Sequence, residues 1–165
     1  MRWPAYFILA YVAVGLQIGL GEYLRVGSAK PDLVLLAAIF IAIRAPREAA
    51  LLGCLGLGLI QDLVALNPLG LNALAYALAG MFTVSTQELV YKSHPLTNFS
   101  LGLVGGCLTG AVVLIHGWIR GPRASMADLL ACALYTAILA PLVLGLLNLL
   151  KRGFAFTNRR RARAL

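Results

Sequence analysis

Six apolar runs alternate with short polar breaks along the chain. They cover residues 4–20, 31–43, 49–66, 69–84 (with room to continue towards Tyr91), 99–119 and 126–150. The runs are too continuous for the alternating period of half-buried strands and read as helices. The breaks carry turn chemistry. Residues 21–30 form a polar loop, and Arg44-Ala45-Pro46-Arg47-Glu48 is a short charged turn. Asn67-Pro68 is a turn dipeptide, Tyr91-Lys92-Ser93-His94-Pro95 a polar connector, and Arg120-Gly121-Pro122-Arg123 closes the fifth run. Pro31 suits the first turn of the second helix.

A helix needs ~20 residues to cross ~30 Å of hydrocarbon. The fifth and sixth runs meet this length, and the second to fourth are short. The short ones are expected to borrow flanking polar residues, to thin the bilayer, or to be shielded by neighbours. Composition points the same way: of 165 residues, 61% are apolar and 12% charged, against about a quarter charged in a soluble domain. The expected fold is therefore an all-α integral membrane protein. It is a polytopic bundle of about six transmembrane helices in one domain, residues 1–150, with a basic tail at 151–165. Met1-Arg2-Trp3-Pro4 precedes the first run in the manner of a signal peptide, but no A-x-A-like cleavage site follows. A retained first helix is expected.

The net charge of +8 is unevenly spread. Lys151, Arg152, Arg159, Arg160, Arg161 and Arg163 crowd the tail with no acid among them. Beside a membrane segment, such a cluster reads as an orientation signal and an anionic-lipid contact rather than a nucleic-acid site. Six spans with an internal N-terminus place Arg2, Arg44, Arg47, Lys92 and the tail inside, ten basic residues in all. Four remain outside: Arg25, Lys30, Arg120 and Arg123. Both termini of a multi-pass membrane protein are thus expected on the cytoplasmic side.

Glycines mark close helix approach. Gly102, Gly106 and Gly110 recur every four residues on one face of the fifth helix, and Gly53, Gly56 and Gly58 crowd the third. Small residues on one face let another backbone come near. Gly56-Leu57-Gly58 lacks the third glycine and the preceding strand of a nucleotide loop.

Catalytic chemistry has no candidate. Cys54, Cys107 and Cys132 lie inside apolar runs without ligand spacing. His116 has no companion at metal-ligand distance in sequence, and His94 sits in a connector. No serine stands near a histidine in a nucleophilic arrangement. No metal or cofactor is called for, and no enzyme. Polar residues do gather at one level: Asp32, Asp62, Asn72 and Asp128 share the outer end in this topology, with Arg25, Lys30, Arg120 and Arg123 nearby as partners. A carboxylate at a membrane helix centre costs roughly 2.5–3.5 kcal/mol on insertion scales, so Asp62 needs an interfacial position or a polar partner. Two readings stand open, an outward polar site and ordinary helix capping.

In the middle third, Pro31-Asp32-Leu33-Val34-Leu35-Leu36 opens a helix. The charged turn, Gly53 to Gly58, and Gln61-Asp62-Leu63 follow, and then Asn67-Pro68-Leu69-Gly70-Leu71-Asn72-Ala73-Leu74. This order, over roughly residues 31–80, resembles the bacterial rod-shape-determining MreD family. The resemblance implies a non-enzymatic membrane scaffold of the cell-elongation machinery for lateral peptidoglycan synthesis. It also implies partnership with an MreC-like protein and, through it, with MreB, RodA and a penicillin-binding transpeptidase. The family's six-helix fold resembles the substrate-binding subunits of energy-coupling-factor transporters, which supplies an alternative, a small-molecule-binding transporter subunit. Interaction residues are expected at the outer corner: Asp32, Gln61, Asp62, Pro68, Gly70 and Asn72. Leu66, Leu69 and Leu71 leave that corner apolar.

Overall fold

The computed structural model describes residues 3–21, 23–25, 27, 29–66, 68–86, 95–120 and 125–154. Asn67, the connector before Pro95, Arg123 and the tail arginines Arg159, Arg160, Arg161 and Arg163 lie outside these residues. The described chain is helical: α1 (Trp3–Gly21), α2 (Leu33–Arg44), α3 (Arg47–Val64), α4 (Leu71–Ser85), α5 (Pro95–Arg120) and α6 (Met126–Phe154). Each apolar run corresponds to one helix. α5 opens at Pro95, inside the expected connector, and α6 runs on to Phe154, into the expected tail. Three other boundaries differ from expectation for local reasons. Pro31 stands outside α2, because Asp32 takes the N-cap and accepts from the Leu35 N–H. Arg47 and Glu48 belong to α3, since Pro46 holds Ala45 extended (φ −84°, ψ 157°) and the chain resumes its helix at once. α4 ends at Ser85, where the Thr86 N–H closes on the Phe82 carbonyl, and the extension towards Tyr91 lies outside the described residues.

α2 is the axis of the bundle. Its 12 residues span only about 18 Å at 1.5 Å per residue, and the stretch from Val34 to Ala42 is buried throughout. It packs against each of the other helices. This short apolar helix is shielded by its neighbours, one of the expected accommodations. α5 and α6 are the opposite case. Leu96–Ile119 and Met126–Leu149 are each 24 residues long and apolar enough to cross a membrane, and they are mostly unburied in the bundle.

Close packing follows the small residues. A Cβ on Gly102 would lie 2.6 Å from Ala140 Cβ, and one on Gly106 would lie 2.9 Å from Ala133 Cα. These glycines therefore face the alanine ridge of α6. Gly110 is looser, 3.6 Å from Leu129 Cβ. On α3, a Cβ at Gly58 would stand 2.5 Å from the Asn72 carbonyl oxygen and 2.6 Å from the Ala73 nitrogen, so α3 and α4 meet backbone to backbone. Tyr6 of α1 donates to the Gly53 carbonyl at 3.0 Å, and its hydroxyl fills the space a side chain at Gly56 would take. Cys54 donates to the Ala38 carbonyl of α2 at 3.4 Å. At the far end, Arg44 of α2 bonds the Asn148 side chain of α6.

Candidate functional site

The odd helices end, and the even helices begin, at one end of the bundle. Helix N-termini present unpaired N–H groups that must find acceptors. At α4 the acceptor comes from another helix. Asp62, in the last turn of α3, is fully buried. Its Oδ2 accepts from the Gly70 N–H (2.9 Å) and the Ala73 N–H (3.3 Å), and its Oδ1 from the Asn72 N–H (3.0 Å). The Leu71 N–H goes to the Pro68 carbonyl at 3.2 Å, so the opening turn of α4 is fully satisfied. Gly70 supplies the left-handed N-cap conformation (φ +100°) that this geometry needs.

This arrangement corrects one expectation. Among the described residues, the partners of Asp62 are backbone N–H groups, not the guanidinium of Arg25 or the ammonium of Lys30. Each charge-assisted bond contributes roughly 1.5–3 kcal/mol, and the positive end of α4 adds up to ~2 kcal/mol. Together these offset the several kcal/mol needed to desolvate a carboxylate. Asp62 turns inward while its neighbours turn out. Leu63, Leu66, Pro68 and Leu69 are exposed, and Leu66 adopts a left-handed backbone (φ +53°) that is rare outside glycine.

Asp32 anchors a second group. Its carboxylate accepts from the Leu35 N–H (2.9 Å) and from the Tyr76 hydroxyl (2.8 and 2.9 Å to its two oxygens). Its own N–H donates to Thr136 Oγ1 at 3.1 Å, and that hydroxyl donates to the Cys132 carbonyl at 2.8 Å. Gln17 of α1 clamps the same strap, donating to the Pro31 carbonyl (3.1 Å) and accepting from the Leu33 N–H (2.7 Å). The Pro31–Leu33 segment is thus held by α1, α4 and α6 together.

A cavity of about 410 Å³ opens between these helices. The three expected residues Asp32, Gln61 and Asn72 meet on its wall, together with Gln17, Tyr76, Thr109 and Thr136. Asp62 and Gly70 lie behind the wall in the corner, and Pro68 lies at the exposed tip. Asp128 belongs to the first turn of α6, off the wall, and His116 is half-buried in α5. Among the described residues, no three or more His, Cys, Asp or Glu side chains gather as metal ligands would.

Sequence reasoning passed over Gln17, Tyr76 and Thr136. Gln17 offered a signal as the sole carboxamide of the first apolar run, and Tyr76 as the residue one turn beyond Asn72 on the same face. Thr136 offered none, since a threonine in an apolar helix ordinarily bonds its own backbone.

No curated protein and no solved structure matches the chain, and the expected likeness to transporter substrate-binding subunits finds no support there. A family model described as rod shape-determining protein MreD matches residues 1–154 of the 165. The chain therefore belongs to the MreD family of rod-shape-determining membrane proteins.

Proposed function

We propose that the protein is a non-enzymatic scaffold, an interaction subunit of the machinery that builds the lateral wall. Its direct partner is an MreC-like membrane-anchored protein. MreB, RodA and a penicillin-binding transpeptidase are reached through that partner. The chain is multi-pass in the inner membrane with both termini in the cytoplasm, where the basic tail meets anionic lipid. The charge asymmetry of the loops supports this orientation.

The observation that carries the docking role is the apolar tip of the α3–α4 corner. Leu66 is 91% exposed, and its left-handed backbone is strained for a side chain with a Cβ. Asp62 holds the turn behind it rigid. A strained apolar side chain, presented outward by a fixed turn, suits contact with a partner. Replacing Leu66 with Asn separates docking from folding, because Asn tolerates the left-handed region while removing the apolar surface. The Leu66→Asn protein is expected to keep or raise its unfolding temperature in detergent. In a rod-shaped host it is expected to lose co-purification of the MreC-like protein and complementation of cell shape. Wild-type co-purification and complementation by Leu66→Asn would refute the docking role.

A further inference from the structure

We propose that the cavity between the helix ends binds a neutral, hydroxyl-rich head group of monosaccharide size, whether free in solution or carried on a lipid. The volume, about 410 Å³, falls in the ~300–1,000 Å³ range of ligand pockets. Most polar groups on its wall are already engaged. Gln17 clamps the Pro31–Leu33 strap, Tyr76 bonds Asp32, and Thr136 and Thr109 donate to carbonyls of their own helices.

Two groups are not engaged. The Asn72 residue is only 8% exposed, lines the cavity, and has no partner for its side-chain amide among the described residues. Gln61, also on the wall, has a buried Oε1 with no partner. A buried polar group left without a hydrogen-bond partner is unfavourable. Gln61 Oε1 is such a group, and the Asn72 carboxamide on the same wall adds a donor and an acceptor for a ligand. A carboxamide offers a donor beside an acceptor, which matches adjacent hydroxyls, and the Asp32 carboxylate adds further acceptor capacity.

Charge of both signs surrounds the cavity, so an ion of either sign meets repulsion as well as attraction there. A cation would meet Lys30 at the wall and the positive ends of α2, α4 and α6. An anion would meet Asp32, with Asp62 behind it. A neutral polyol meets neither penalty. The cavity is separate from the exposed leucines of the corner, so this inference stands independently of the docking role.

The full chain, purified in an amine-oxide detergent that carries no sugar, tests the proposal. Its thermal unfolding is followed against methyl glucoside, glucosyl diacylglycerol and plain diacylglycerol. A saturable rise in unfolding temperature with methyl glucoside identifies a free polyol. A rise with glucosyl diacylglycerol alone identifies a lipid-borne head. Plain diacylglycerol is expected to give none. Asn72→Leu and Gln61→Leu should each weaken the response roughly tenfold, the loss of about one hydrogen bond. Their unliganded unfolding temperatures should hold or rise, because each removes an unpaired amide. No saturable rise with either glucoside, an equal rise with plain diacylglycerol, or an undiminished response in both variants would overturn the proposal.

Discussion

The α3–α4 corner and the α5–α6 seam both bring two helices together through glycine, yet they are held by different physics. At the corner, Gly58 lets the backbones touch, and the Asp62 carboxylate then ties α3 to three N–H groups of α4. At the seam, Gly102 and Gly106 accept the ridge formed by Ala133, Ala137 and Ala140 by steric fit. Directional bonds fix both distance and register. A small-residue seam fixes distance and leaves register to the summed fit of many weak contacts. The corner is therefore suited to presenting a surface in one orientation, and the seam to permitting small adjustment.

Removing the carboxylate should break this contrast most severely. Asp62→Leu leaves three N–H groups at the start of α4 without acceptors, at ~1–3 kcal/mol for each buried donor. A loss of several kcal/mol is expected in chemical unfolding, together with faster amide exchange at Gly70, Asn72 and Ala73. Unchanged exchange there would mean that the corner, like the seam, is held by packing.

Adding one methyl group to each interface sharpens the comparison. Gly58→Ala forces a Cβ against the Asn72 and Ala73 backbone, which Asp62 prevents from moving away. Overpacking of this kind costs ~1–3 kcal/mol, occasionally more, and the upper end is expected. Gly106→Ala meets Ala133 Cα at 2.9 Å and Cβ at 3.0 Å, a less severe approach than the 2.4–2.6 Å at Gly58, so a smaller cost is expected. Unfolding of both variants in one detergent gives the order, and a larger cost at Gly106 would reverse the assignment of rigid and yielding interfaces.

The smallest effect is expected at Gly110. A Cβ there is in ordinary contact with Leu129 at 3.6 Å, so Gly110→Ala should change stability by no more than about 0.5 kcal/mol. A drop as large as that of Gly106→Ala would show that the close seam extends a full turn further.

The order of elements was written in the chain. Apolar runs broken by the polar loop at 21–30, the charged turn at Pro46, Asn67-Pro68, the connector before Pro95 and Arg120-Gly121-Pro122 mark six helices, because turn residues and hydrophobic runs act locally. The four-residue spacing of Gly102, Gly106 and Gly110 also marks a face, since helical period converts spacing into direction. Tertiary structure decided which helix is enclosed. α2 and α4 are similarly short and apolar, and only packing makes α2 the axis. It also decided what Asp62 does. The residue's neighbours in sequence were compatible with an ion pair or a cap, and its acceptor role emerged only when α4 folded back to place Gly70, Asn72 and Ala73 within bonding distance. The cavity is the furthest from the sequence, because Gln17, Asp32, Gln61, Asn72, Tyr76 and Thr136 come from five helices or their caps. Hydrogen bonds between residues distant in sequence require the chain to be folded first, and no local pattern records them.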